Sequence, residues 1–268
     1  MHPRSQLASL GVHAKKRFGQ NFLTSPHWSQ TLVDTLLEGM TPAAVWEIGP
    51  GLGALTEGLT KKSPVAPCVF EIDRNLCAYL RERFPGIDLV EGDFLKWEPR
   101  EPLDRVLVLG NLPYNVSSPI FFKLLEWKSS ILRMVLTFQR EFARRLLAKP
   151  TTPDYGGTGV VAQTFYELQS LGVIPPGAFY PKPDVDSEAI CFEPKADPRV
   201  DRTAFLRLVR EAFSHRRKML LKNLSHHYGK DKLLAVFETL GISSKARAEE
   251  LSPGQFLDLA ESLLPSRS

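Results

Sequence analysis

Cysteine is scarce: Cys68, Cys77 and Cys191 are the only three in 268 residues. An odd, sparse set with no Cys-x-x-Cys pair excludes a disulfide scaffold and a zinc pair, and it is what a reduced, cytoplasmic compartment allows. No apolar run approaches the roughly 18 residues of a membrane span, and the N-terminus lacks the charged-then-apolar pattern of a secretion signal. No metal and no membrane partner are expected. No internal repeat is visible, and the 21 prolines and 18 glycines are spread as turn punctuation. What remains is 43% hydrophobic and 24% charged, an ordinary globular mixture that excludes a disordered chain, a collagen-like repeat and a coiled coil.

Acid is also missing, but only locally. The net charge is 34 − 30 = +4. Residues 1–33 hold Arg4, Lys15, Lys16 and Arg17 and no acid. Residues 128–149 hold six Lys/Arg against Glu141, and residues 200–230 hold eight against Asp201 and Glu211. Three basic clusters on a mildly charged chain point to a polyanion partner or to solvated helix faces, and charge alone does not separate the two.

Strand-like runs at 44–48, 68–72, 88–91, 105–109 and 134–138 alternate with helix-like stretches at 53–62, 74–84, 119–126 and 141–148. Such alternation predicts an α/β fold with a mostly parallel sheet covered on both faces. Two further strands, 168–174 and 187–192, have only Pro- and Gly-rich sequence between them. With no crossover helix, they are expected to pair antiparallel at the sheet edge. Beyond a short linker at Pro194–Pro198 the periodicity is helical: 203–213, 217–226, 231–240 and 253–264, with Thr203 and Ser252 as expected N-caps and Gly229 and Gly241 as terminators. The expected division is a catalytic domain over 1–195 and a small basic all-helical domain over 196–268.

The first strand runs into Gly49-Pro50-Gly51-Leu52-Gly53. Glycines there permit a tight turn and close approach of a ligand to the backbone. Glu71 ends the second strand 71 − 51 = 20 residues beyond Gly51, where a carboxylate suits ribose hydroxyls. A dinucleotide loop needs glycine at 54, but the residue is Ala54. The loop fits a ligand without phosphate, such as S-adenosylmethionine (AdoMet). Asp93, after the third strand, can accept from an adenine amine, with Phe94 suited to pack on the ring.

The fourth strand ends in Asn111-Leu112-Pro113-Tyr114. An adenine amine is a poor nucleophile because its lone pair is delocalised into the ring. The Asn111 side-chain oxygen and the Leu112 carbonyl can both accept from it, which favours the pyramidal nitrogen of the transition state. Pro113 fixes the backbone, and Tyr114 offers a face to a flipped base. The methylated product is acidic enough to need no general base.

These motifs join others: Lys16-Arg17-Phe18-Gly19-Gln20-Asn21-Phe22-Leu23, Gln139-Arg140-Glu141, Phe179-Tyr180-Pro181-Lys182-Pro183 with Val185-Asp186-Ser187, Phe213 with Arg216-Arg217-Lys218, and Arg247-Ala248-Glu249. Together they make the chain resemble the small-subunit (16S) ribosomal RNA adenine N6-dimethyltransferases (KsgA/RsmA type) over essentially its whole length. The resemblance implies a Rossmann-like AdoMet-dependent methyltransferase fold. Asn21 and Leu23 would close over AdoMet, Gly49 would line its methionine end, Gly51 would belong to the same cofactor-binding loop, Glu71 would hold the ribose, and Asp93 the adenine. Asn111 would contact AdoMet and orient the target amine, and Phe179 would stack on the target base opposite Tyr114. The reaction implied is double methylation of two adjacent adenosines in a hairpin near the 3′ end of 16S rRNA, by a monomer.

Rival readings are a large-subunit rRNA adenine methyltransferase of the antibiotic-resistance type, a DNA adenine methyltransferase, and a non-catalytic ribosome-assembly factor. The Arg216–Lys218 and Arg247–Glu249 motifs disfavour the first, Leu112 the second, and the intact Asn21, Glu71, Asp93 and Asn111 the third. Arg216, Arg217 and Lys218 are read as the start of a helix, where cations do not complement the dipole. With Lys222 and the Lys15-Lys16-Arg17 segment they are therefore expected to grip rRNA phosphates. The segment 154–159 is richer in glycine than expected, which puts loop rigidity in question.

Overall fold

The computed structural model describes residues 20–264 except 197 and 199. The Lys15, Lys16 and Arg17 assignments lie outside the described residues. Two compact units divide the chain: one comprises the described residues up to 143 together with 169–194, the other 144–168 together with those from 195 on. One boundary between the units lies at 194/195, and 144–168, expected in the first domain, fall with the helical unit. Among the described residues no helix is long and apolar enough to cross a membrane.

The first unit opens with strand β1 (Phe22–Leu23) and helix α1 (Pro26–Leu37), then alternates β2 (Ala44–Ile48), α2 (Thr56–Lys62), β3 (Pro67–Glu71), α3 (Arg74–Arg83), β4 (Asp88–Glu91), β5 (Val106–Asn111), α4 (Ser117–Glu126) and β6 (Ile131–Gln139). Helix α5 (Arg140–Leu147) carries the chain into the second unit, where α6 (Gly157–Phe165) follows. Strand β7 (Tyr166–Ile174) returns it to the first, which ends with β8 (Phe179–Tyr180) and β9 (Ser187–Pro194). The seven-stranded sheet has the order β4-β3-β2-β5-β6-β9-β7. β2 to β6 pair in parallel, and β9 pairs antiparallel with β6. The central strands are buried almost throughout, as mainly apolar runs require when both faces are covered, with Glu47 the buried exception in β2.

Helix α1 adds to the elements expected from periodicity. It starts where Ser25 accepts from the Trp28 N–H and Pro26 takes the first turn. Its Leu32, Val33 and Leu36 join Val45, Leu107, Leu109 and Val135 in one hydrophobic core cluster. The Arg133 guanidinium donates to the Thr35 and Glu38 carbonyls at 2.8 and 2.9 Å and so satisfies the end of this helix.

The helical unit adds α7 (Arg202–Ala212), α8 (Leu220–Tyr228), α9 (Lys230–Thr239) and α10 (Pro253–Leu263). Ser252 caps α10 in a capping box with Gln255. Asp201, not Thr203, caps α7, accepting from Ala204 N–H at 2.8 Å. The carboxylate two residues earlier reaches the open N–H groups better than the threonine. The glycines of 154–159 have a packing reason at Gly159, where a Cβ would stand 2.4 Å from the Arg145 carbonyl oxygen.

Candidate active site

Because β2 to β5 run parallel, the loops after their carboxyl ends meet at one edge of the sheet. One cavity opens there. Its wall includes Asn21, Leu23, Gly49, Gly51, Glu71, Asp93 and Asn111, the whole expected AdoMet set, together with Leu112, Pro113 and Tyr114.

The glycine loop is held to β3 at two points. Gly49 N–H donates to the Phe70 carbonyl at 2.9 Å, and Gly51 N–H donates to Glu71 Oε2 at 3.3 Å. Gly49 and Gly51 have φ of 71° and 58°. A Cβ on Gly51 would sit 2.6 Å from the Phe22 ring, so both backbone shape and space demand glycine. The other Glu71 oxygen, Oε1, accepts from Asp73 N–H at 2.8 Å. Glu71 is 5% exposed. Burial pushes its carboxyl up to about 7, against the pull of those two N–H groups. Behind it, fully buried Glu47 is pushed up to about 8 by burial, while accepting from the Thr56 hydroxyl at 2.7 Å.

Asp93 does two things. Its Oδ1 caps the short turn Phe94–Lys96 by accepting from Leu95 N–H at 3.0 Å, and the residue also faces the cavity. Phe94 lines the same wall while its ring packs edge-on to Trp46 and Phe70. Between Glu71 and Asp93, Ile72 stands on the wall 44% exposed.

Asn111 ends β5. Its side-chain Nδ2 donates to the Asn21 carbonyl at 2.9 Å, and its Oδ1 accepts from the Thr137 hydroxyl at 2.7 Å. Gly110 before it allows the turn: a Cβ there would lie 2.7 Å from Leu112 Cδ2. Tyr114 is held by its hydroxyl, 2.7 Å from the Ser187 Oγ on β9. Burial raises the Tyr114 phenol, and the Ser187 hydrogen bond pulls it back.

The structure does not bring Phe179 to this cavity. It pairs with Leu23 across the two-stranded β1–β8 sheet and is buried in the core cluster that holds Leu32, Val45 and Val135. Its strand neighbour Tyr180 packs instead against the cluster of Phe22, Leu52 and Leu76. Successive side chains on a strand point to opposite faces, so the register of β8 decides the matter.

The basic run also departs from expectation. Helix α8 begins at Leu220, so Arg216, Arg217 and Lys218 lie in the turn before it. Arg216 is an internal brace: its Nε donates to Glu249 at 2.9 Å, and its guanidinium also donates to the Pro153 carbonyl. Arg217, Lys218 and Lys222 are exposed and make no ion pair among the described residues.

Thr137 and Ser187 are contacts to the motif that residue chemistry alone does not single out. The available signal is a lone hydroxyl within the otherwise apolar buried run Val135–Phe138.

The cavity wall carries two carboxylates, and no lysine, arginine or histidine is among its described residues. That suits a cationic ligand and opposes a pyrophosphate. The wall also leaves room where glycine stands: a Cβ on Gly92 would meet nothing within 4 Å. Among the described residues no group of three His, Cys, Asp or Glu is placed to hold a metal.

Comparison with known proteins agrees with this geometry. A ribosomal RNA small subunit methyltransferase A of Chlorobium phaeobacteroides is 40% identical over 257 residues, covering 95% of this chain and 93% of its own. One from Nitrosomonas europaea is 36% identical, covering 94% and 98%. The crystal structure of a dimethyladenosine transferase from Plasmodium falciparum superposes with a TM-score of 0.75 at 25% identity, over 89% of this chain and 95% of its own. That of the 23S rRNA methyltransferase ErmE gives 0.71 at 28%, over 91% and 99%. The family model described as ribosomal RNA adenine dimethylase matches residues 11–264. An AdoMet-type cavity with the Asn111–Tyr114 tetrad on its wall, read with that match, places the chain in the ribosomal RNA adenine dimethylase family.

Proposed function

We infer that this protein transfers methyl groups from AdoMet to the N6 amines of two adjacent adenosines in the 3′-terminal hairpin of 16S rRNA, each twice, during small-subunit assembly. Bound AdoMet supplies a methyl group activated on a sulfonium. In this reading Glu71 accepts from the ribose hydroxyls, Asp93 from the adenine amine, and the loop from Gly49 to Gly51 admits the methionine end beneath Asn21 and Leu23. The observation that carries the reading is the Asn111 amide. With Nδ2 committed to the Asn21 carbonyl, Oδ1 is the atom left to accept from a target amine. The Leu112 carbonyl is the second acceptor, and Tyr114 the face on which the flipped base stacks. Arg217, Lys218 and Lys222 hold rRNA phosphates, and Arg216 supports the turn that presents them.

The relatives' names support the small subunit: the two at 36% and 40% identity are small-subunit methyltransferases. Mass spectrometry of rRNA after incubating immature 30S and 50S subunits with protein and AdoMet tests this. Dimethyladenosine in the 16S hairpin is expected. Label confined to 23S rRNA would reverse the reading, and AdoMet binding with no methyl transfer to either subunit would leave an assembly factor. We further infer a monomer that works in the cytoplasm, where small subunits are assembled. Light scattering of the purified protein reads the mass directly.

A further inference from the structure

We propose that Thr137 is a positioning residue for methyl transfer: its hydroxyl locks the Asn111 side-chain amide so that one lone pair of Oδ1 always faces the target amine. The inference rests on the reading of Asn111 given above. Thr137 lies directly opposite Asn111 in the β5–β6 register and is 1% exposed.

The direction of each hydrogen bond follows from its partner. The Asn21 carbonyl can only accept, so the Asn111 atom 2.9 Å from it is the nitrogen. Oδ1 therefore faces Thr137 Oγ1 at 2.7 Å, and at that distance the hydroxyl must donate. The Gly110 carbonyl, 3.4 Å from the same Oγ1, is the weaker alternative acceptor. One lone pair of Oδ1 is thus occupied and the other remains.

An amide fixed from one side only can turn about its last bond and present nitrogen, a donor, to an amine that has only N–H groups to offer. Fixed from both sides, it cannot. The acceptor is then in place before the amine arrives, and no reorganisation is needed as the nitrogen pyramidalises. Valine would fill the same volume in this buried strand, so packing alone does not account for a hydroxyl at 137.

The test compares Thr137→Val, Thr137→Ala and Thr137→Ser with the parent on 30S subunits, reading kcat, KM for RNA, AdoMet Kd by calorimetry and melting temperature. We expect the Val and Ala variants to lose at least about tenfold in kcat, the scale of a misplaced reacting group. Both Kd for AdoMet and KM for RNA should stay within about threefold, and Ser should restore kcat. A packing role would instead lower melting temperature and spare kcat per folded molecule. Parent-like kcat in folded Val or Ala variants, with Asn111→Ala inactive, overturns the proposal and leaves the site reading intact. Turnover surviving in Asn111→Ala overturns the site reading, and this proposal with it. Should Thr137→Val not fold, the Ala and Ser pair decides by the same criterion.

Discussion

Glu71 sits between two demands. Burial favours its neutral form, whereas the ribose hydroxyls that we infer it holds would need the carboxylate. Its folded-state pKa near 7 lies above the ordinary 4.5, so ionising it costs the fold stability as pH rises from about 4.5 to 7. For ligand binding the sign is opposite, because hydroxyl donors favour the charged form. AdoMet affinity should therefore be highest above pH 7 and fall as pH drops below it, by at most about tenfold per unit. Calorimetry from pH 6 to 8 checks this, and Glu71→Gln should flatten the profile. Loss of the side chain in Glu71→Ala or Asp93→Ala should weaken AdoMet by about 1–3 kcal/mol. At Asn111 the demand is different. In the proposed mechanism the acceptor matters most as the amine pyramidalises, so Asn111→Ala should lower kcat far more than RNA affinity. Single-turnover kinetics with near-native rates would remove Asn111 from the mechanism.

At the scale of elements, two aromatic residues expected to do the same work are held in unlike ways. Tyr114 follows β5, faces the cavity and is tethered by Ser187 on β9. Phe179 belongs to β8 and is packed among Leu23 and other core side chains. Truncating a buried phenylalanine costs about 3–5 kcal/mol of stability, whereas losing a stacking face costs about 1–3 kcal/mol of base binding. Phe179→Ala should therefore lower the denaturant midpoint clearly. Tyr114→Ala should leave it nearly unchanged and raise KM for RNA. Equal effects of the two on both readouts would mean that Phe179 reaches the base as well. The alternation of strands and helices is legible because buried parallel strands are short, mainly apolar runs between helical stretches. Helix α1 is harder to see because its start, Ser25-Pro26, lies only one residue beyond the Asn21–Leu23 motif, whose residues speak first of ligand chemistry.

For the whole molecule, the charge imbalance acquires a narrower meaning. Of the expected phosphate-binding cations on the helical unit, Arg216 is committed to Glu249 and the Pro153 carbonyl. Its pairing also accounts for the Arg247-Ala248-Glu249 motif, whose Glu249 carbonyl accepts from Thr151 N–H at 2.8 Å. Neutralising Arg217, Lys218 and Lys222 together should weaken binding to small subunits. For every cation that binds a phosphate, its neutralisation should lower the salt slope of log K by about 0.7–0.9. AdoMet affinity should not move. Arg216→Ala should instead destabilise the helical unit, seen as faster proteolysis around 150–155, with a smaller change in slope. An unchanged slope in the triple variant would mean that these three cations merely solvate the surface.

The sequence by itself determined which residues are candidates for the chemistry of the site. A glycine with positive φ, an acid at a strand end and an Asn-Leu-Pro-Tyr turn each answer a local requirement of backbone shape or ligand contact, so they can be read along the chain. Strand order placed them at one sheet edge by the general rule for parallel α/β sheets. Only the tertiary structure decided which side chains meet. Asn111 and Thr137 are 26 residues apart, Arg216 and Glu249 33, and Tyr114 and Ser187 73. Whether a hydroxyl locks an amide, a guanidinium braces a loop or an aromatic ring turns inward depends on register between distant elements. That register is set by the packing of whole strands and helices, which no local pattern at residue 137, 216 or 179 carries.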